Sequence, residues 1–286
     1  MSSISKKFVP STDGSLIYAE ATGDPTKPAL VLVPGLTMTT QVFDKQFLDE
    51  EMRKELFMIR YDTRGHGQSS KPETEEAYAS KLWADDFAAV CKAFEVEKPV
   101  FAGWSFGGTI ITDICTYIGP EAMSGAILMA GPPSYAPEAF VAFLKPEAVI
   151  GGLQSNDATV RNEFILQFAD DLFFFDSIPF QVRCAWMGGI TFVSTSVAKL
   201  FMSRTQDTKA LDEAGKGNKL KVLCIHGDKD ALVSGAAVVE LLQREYSFSN
   251  VEVFEIKETG HAFFYEKPEE TNKKLLEFVN RVTSTM

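Results

Sequence analysis

Short apolar runs bounded by Gly and Pro alternate along much of the chain with stretches whose apolar residues return every three to four positions. Residues 16–22, 29–34 (ALVLVP) and 57–61 (FMIRY) are short and β-rich, and predict strands. Ser80 is the expected cap of an amphipathic helix, with Leu82, Trp83, Phe87, Val90, Cys91 and Phe94 at helical spacing. A strand over 99–102, the turn GWSFGG, a helix over 109–117 and a strand over 125–129 follow. Later come a strand over 221–226 (KVLCIH), a helix from Gly235, a strand over 251–256 and a last helix from Pro268. Several of the strand runs, 29–34 and 125–129 among them, are apolar without alternation. Strands of that kind are buried on both faces, as in a parallel sheet covered by helices.

Residues 133–218 break this alternation. They carry Phe140, Phe143, Phe164, Phe168, Phe173, Phe174, Phe175, Phe180, Trp186, Met187, Phe192, Phe201 and Met202. The expected organisation is a core domain formed by 1–132 and 219–286, with 133–218 inserted as a mostly helical cap. Most of these side chains are expected to pack the cap, and some to face a cleft beneath it.

Composition narrows the function. Hydrophobic residues make up 45% and charged residues 23% of the 286, a globular balance. The formal charge of −11 repels phosphate backbones, and no basic run makes a local exception, so a nucleic-acid partner is not expected. No stretch approaches the roughly 20 apolar residues of a membrane span, and the N-terminal segment does not read as a secretory signal. A soluble, cytoplasmic protein is expected. Cys91, Cys115, Cys184 and Cys224 are spaced unlike any zinc pattern and are expected as buried free thiols. With three histidines and no HExxH spacing, no metal site is expected.

The sharpest motif is Gly103-Trp104-Ser105-Phe106-Gly107, a G-x-S-x-G turn between a short strand and an apolar-periodic helix. Such a turn strains the serine backbone, needs glycines where chain segments crowd, and lifts the serine oxygen clear of the sheet. The helix that follows, from Phe106, directs its dipole toward developing negative charge.

Together with Pro34-Gly35-Leu36, Asp62-Thr63-Arg64-Gly65-His66-Gly67-Gln68-Ser69, Gly227-Asp228-Lys229-Asp230 and Gly260-His261, this motif resembles the α/β-hydrolase superfamily over nearly the whole chain outside the cap. The resemblance implies a mostly parallel eight-stranded sheet flanked by helices. It also implies a Ser…Asp…His order of nucleophile, acid and base: Ser105, Asp230 and His261. Asp228 is the alternative acid and is expected to cap its turn. Other family members carry the acid after the sixth strand, where this chain reads MAGPPS and offers no carboxylate. His66 is expected to anchor its loop, and His226 to be a satisfied buried group. The resemblance points to the amides of Leu36 and Phe106 as the oxyanion hole, although Pro34-Gly35 stands where the family commonly has His-Gly. Trp104 is a candidate substrate wall.

A serine at the elbow attacks carbonyls, whereas an aspartate there opens epoxides or displaces halide. The expected activity is hydrolysis of a small, largely hydrophobic carboxylic ester or lactone, with no cofactor. Carbon–carbon bond hydrolysis, thioester cleavage, peroxidase-like chemistry and slow-turnover reception of a small molecule are the alternatives.

Overall fold

The computed structural model describes residues 4–174 and 178–284. Eight strands form one sheet: β1 (Ser5–Pro10), β2 (Leu16–Gly23), β3 (Ala29–Val33), β4 (Phe57–Tyr61), β5 (Val100–Trp104), β6 (Gly125–Met129), β7 (Val222–Gly227) and β8 (Val251–Ile256). Their spatial order is β1-β2-β4-β3-β5-β6-β7-β8. β2 pairs antiparallel with both neighbours, and every other pairing is parallel. β4, β5, β6 and β7 are buried at every position, which explains their largely apolar sequences; Arg60 of β4 is buried in an ion pair with Glu20. β1 has no such run. Five of its six residues are exposed, and its lysines sit on an edge strand where charge discourages further pairing.

The helices are α1 (Asp44–Phe47), α2 (Glu50–Glu55), α3 (Ser80–Ala93), α4 (Ile110–Tyr117), α5 (Pro146–Leu153), α6 (Ala158–Asp171), α7 (Phe180–Thr191), α8 (Thr195–Met202), α9 (Lys209–Lys216), α10 (Gly235–Arg244), α11 (Phe263–Glu266) and α12 (Pro268–Thr283). α3 packs on β1, β2 and α4, while α12 packs with α1, α2 and α11. Ser80 does not cap α3. The N-cap is Ala79, and the Ser80 hydroxyl instead donates to the Thr205 carbonyl at 2.6 Å, tying the helix to the far end of the inserted segment. Among the described residues no single helix is long and apolar enough to cross a membrane.

The segment between β6 and β7 holds α5 to α9, of which α9 packs back on α4. Its aromatic residues divide by role. Phe164, Phe173, Trp186 and Phe201 are buried in the core, whereas Phe174, Phe180 and Phe192 are exposed. Phe175 lies outside the described residues. Cys91, Cys115 and Cys224 are buried, and burial pushes each thiol up to about 12, which keeps them unreactive. Cys184 departs from expectation: it faces solvent on α7, a helix that buries only one narrow stripe.

The turn after β4 is a polar knot. Asp62 accepts the amides of Thr40 and Gln68, both at 2.7 Å. The Ser69 hydroxyl donates to the Asp62 carbonyl at 2.6 Å and accepts the Tyr18 amide at 2.9 Å. Arg64, fully buried, forms a two-point pair with Asp86 on α3 at 2.8 and 2.7 Å. Removing one member of such a pair leaves the other charge buried and unpaired. Arg64→Met is therefore expected to destabilise the fold by about 3–5 kcal/mol in urea titration.

Candidate active site

All the motif loops leave the C-terminal ends of parallel strands, so chain segments far apart in sequence meet on one edge of the sheet. Ser105 directly follows β5 and has φ 53°, in the left-handed region that side chains disfavour. A tight helical turn, Ser105–Thr109, starts at the serine itself and continues into α4. The flanking glycines are dictated by crowding. A Cβ at Gly103 would lie 2.6 Å from the Gly107 carbonyl oxygen and the Gly108 Cα. One at Gly107 would lie 2.6 Å from the carbonyl oxygens of Val33 and Pro34.

The Pro34-Gly35-Leu36 turn abuts the serine, since a Cβ on Gly35 would come within 2.9 Å of the Ser105 Cβ. The Leu36 amide gives no hydrogen bond to any acceptor among the described residues. The Phe106 amide precedes the first bonded N–H of its helical turn. Two amides without intramolecular acceptors thus flank the serine, at a helix N-terminus where anionic charge is favoured.

Asp230 follows β7 and His261 follows β8. Asp230 Oδ1 accepts the amides of Leu232 and Val233 at 2.8 and 2.9 Å, which leaves Oδ2 to take His261 Nδ1 at 2.7 Å. Both side chains are buried, 3% and 1% exposed, so the pair is shielded from competing water. With Nδ1–H donating to the carboxylate, Nε2 is the basic nitrogen of the ring. Asp228 stands apart, its carboxylate turned to the backbone of Glu258 and Thr259.

Trp104 is not a cavity wall. It is 1% exposed, its Nε1–H donates to the His261 carbonyl at 3.0 Å, and its ring packs on the imidazole at a centroid distance of 5.3 Å. The residue beside Ser105 is therefore the seat of His261. Its orientation follows from strand alternation: neighbouring residues of β5 point to opposite faces.

An apolar cavity opens on Ser105. Leu36, Phe106, Tyr135, Phe140, Phe143, Pro146, Val149, Ile150, Phe168, Met202, Leu232 and Val233 form its walls with Lys145. About 50 Å³ is free to the centre of a water-sized sphere. Phe140, Phe143, Phe168 and Met202 belong to the aromatic segment, as anticipated for part of it. Leu232 and Val233 escaped the sequence reading, although they lie two and three residues past Asp230. Lys145 is paired with Asp171 at 2.8 Å, which leaves the cavity without a free charge. Among the described residues no group of three or more His, Cys, Asp or Glu could hold a metal.

The other histidines lie aside. His66 is buried, its Nδ1 within 3.0 Å of the Arg64 carbonyl oxygen and 3.1 Å of the Thr63 hydroxyl, so it anchors its own loop. His226 is less well satisfied than expected: Nε2 lies 3.6 Å from Glu255 and buried Nδ1 has no partner, because Gly235 packs directly against the ring.

The α/β hydrolase fold model matches residues 28–268. The chain belongs to the α/β-hydrolase family. Among curated proteins it is similar to the AB hydrolase superfamily protein YisY of Bacillus subtilis, 24% identical over 259 residues, covering 88% of this chain and 91% of YisY. Among solved structures it is similar to a Burkholderia cenocepacia protein assigned as an aryl esterase, with TM-score 0.88, 25% identity, and 98% and 100% of the two chains covered. The esterase RhEst1 of Rhodococcus sp. ECU1013 shares the fold, with TM-score 0.83, 24% identity, and 98% and 99% covered.

Burial lowers His66 to about 4, so the folded α/β hydrolase holds it neutral. Between that value and the roughly 6.5 of an unfolded histidine, the unfolded chain binds more protons, and stability falls as pH falls. His66 is expected to contribute to that loss across the window. Urea titrations at stepped pH should show a shallower loss between pH 6.5 and 4 in His66→Gln than in the wild type.

Proposed function

We propose that the protein is a serine hydrolase that cleaves carboxylic esters or lactones of small, largely apolar molecules through an acyl-Ser105 intermediate. The observation that carries this reading is the buried Asp230–His261 pair seated on Trp104, the residue next to a strained serine at the mouth of an apolar cavity. Similarity to the assigned aryl esterase over nearly the full length of both chains supports ester substrates.

His261 Nε2 removes the Ser105 proton as the oxygen attacks the substrate carbonyl carbon. Asp230 fixes the imidazole tautomer and stabilises the imidazolium that forms. The Leu36 and Phe106 amides hold the negative oxygen of the tetrahedral intermediate. The imidazolium returns its proton to the leaving alcohol, leaving an acyl ester on Ser105. Water, deprotonated by His261, attacks the acyl carbon, and the imidazolium returns its proton to Ser105 Oγ as the acid leaves. Residues 133–218 act as a cap on the core formed by 1–132 and 219–286, and the cap walls exclude water from the acyl group.

The cavity sets the size of that group. With only about 50 Å³ free to the centre of a water-sized sphere, the cavity favours a short acyl chain over a long one. Nitrophenyl esters of increasing chain length, assayed with wild type and Ser105→Ala, test both parts. Acetate to butyrate esters should turn over with a kcat/KM at least about tenfold above octanoate, since each missing or excess methylene is worth about 1–3 kcal/mol in a fitted pocket. Ser105→Ala should be inactive. Equal rates in the two proteins would refute the assignment. Asp230→Asn, which disturbs the tautomer while preserving shape, should lower kcat by about 10⁴.

A further inference from the structure

Resting on that reading, we propose that Arg204 and Gln206 are positioning residues for the oxyanion site, acting through Thr109 on the Phe106 peptide. Both lie just beyond α8, in the link to α9 within the inserted segment. Arg204 is buried with its partner Asp113 of α4, to which Nη1 donates at 2.8 Å. Its Nη2 donates to the Thr109 hydroxyl, which in turn donates to the Phe106 carbonyl at 2.7 Å. The guanidinium lies 4.3 Å from the Trp83 ring centroid and 5.1 Å from that of Phe106. Gln206 Nε2 donates to the Thr109 carbonyl at 2.9 Å and to Asp113 at 2.7 Å, and its oxygen accepts the Tyr135 amide at 2.6 Å.

Burying a charge costs several kcal/mol, offset here by the Asp113 ion pair and the Nη hydrogen bonds, while buried Arg204 Nε has no partner. Here the bonds converge on the residues immediately after the nucleophile. The Phe106 carbonyl is tied by Thr109, and its ring is enclosed by Trp83, Tyr135, Phe201 and Arg204. With its carbonyl and ring both held, the Phe106 Cα is fixed in place, which restrains the amide on its other side. The same network holds Tyr135, a cavity wall, so the end of the cap and the oxyanion donor are set by one cluster of hydrogen bonds.

The test uses Thr109→Val, which keeps shape and deletes the linking hydroxyl, and Arg204→Lys, which keeps charge and loses the fork. Active sites are counted by fluorophosphonate labelling, and kcat and KM are measured per labelled site on a short nitrophenyl ester. Affinity for a trifluoromethyl ketone, whose adduct carries the tetrahedral oxyanion, is measured beside affinity for the parent ester's acid product. Positioning predicts a fall of at least about tenfold in kcat with KM within about twofold, a small displacement being enough for up to about a hundredfold. Ketone affinity should fall by the same factor while product affinity holds. A merely structural role lowers Tm and the labelled fraction but leaves kcat per site at the wild-type value, and that result overturns the proposal. Should Thr109→Val not fold, Arg204→Lys decides by the same readouts. If wild type and Ser105→Ala do not differ, the serine-hydrolase reading itself has failed. If they differ and the variants keep wild-type kcat, only the positioning role is lost.

Discussion

Ser105 is held at φ 53°, a conformation that costs a side-chain-bearing residue about 1–2 kcal/mol, and the chain around it is built to hold it there. The strain persists because the neighbours over-determine the turn. β5 is fixed between β3 and β6, so the residue before the serine cannot shift. Gly103 and Gly107 let the entering strand and leaving helix crowd together at distances no Cβ would survive. Phe106 is boxed on the far side. Ser105 and the Phe106 ring are left facing the cavity.

The histidine is delivered by a similar logic of exhausted alternatives. Asp230 uses one oxygen on two backbone amides, so the other has a single orientation in which to receive the imidazole. Trp104 holds the backbone of that same histidine and supports its ring. Burial of acid and base in apolar surroundings strengthens their interaction, since little water competes for either. The cavity adds walls with no free charge. Under the proposed function, recognition rests on shape and apolar contact, with the polar work falling to Ser105, His261 and the two amides.

The parallel core was legible because its strands are buried on both faces and announce themselves as largely apolar runs. β1 was not, because an exposed edge strand of lysine-rich sequence carries no such signal. The positions of Asp230 and His261 could be read from loop order after strands, and the fold brings those two within hydrogen-bonding distance. Trp104 was misplaced because its role depends on the face of β5 it occupies, which the motif does not specify. Its large ring suggested a substrate wall, while strand alternation sends it under His261. Ser80 and Cys184 were misread for a related reason: a hydroxyl at a helix start and a thiol on a cap helix find partners or solvent according to tertiary packing. The cavity walls depend on how α5, α6 and the Leu232–Val233 turn meet over Ser105. Arg204 sits in the polar stretch 203–208, and nothing local shows that its guanidinium would be buried against α4.

The central claim is that Ser105 becomes acylated with the substrate oxygen held between the Leu36 and Phe106 amides. Its most direct test is a crystal structure of the protein after reaction with a small alkyl phosphonate. The account predicts phosphorus bonded to Ser105 Oγ, with the phosphoryl oxygen about 2.7–3.1 Å from both amide nitrogens. A phosphonyl group on another residue, or one on Ser105 whose oxygen points away from both amides, would contradict it.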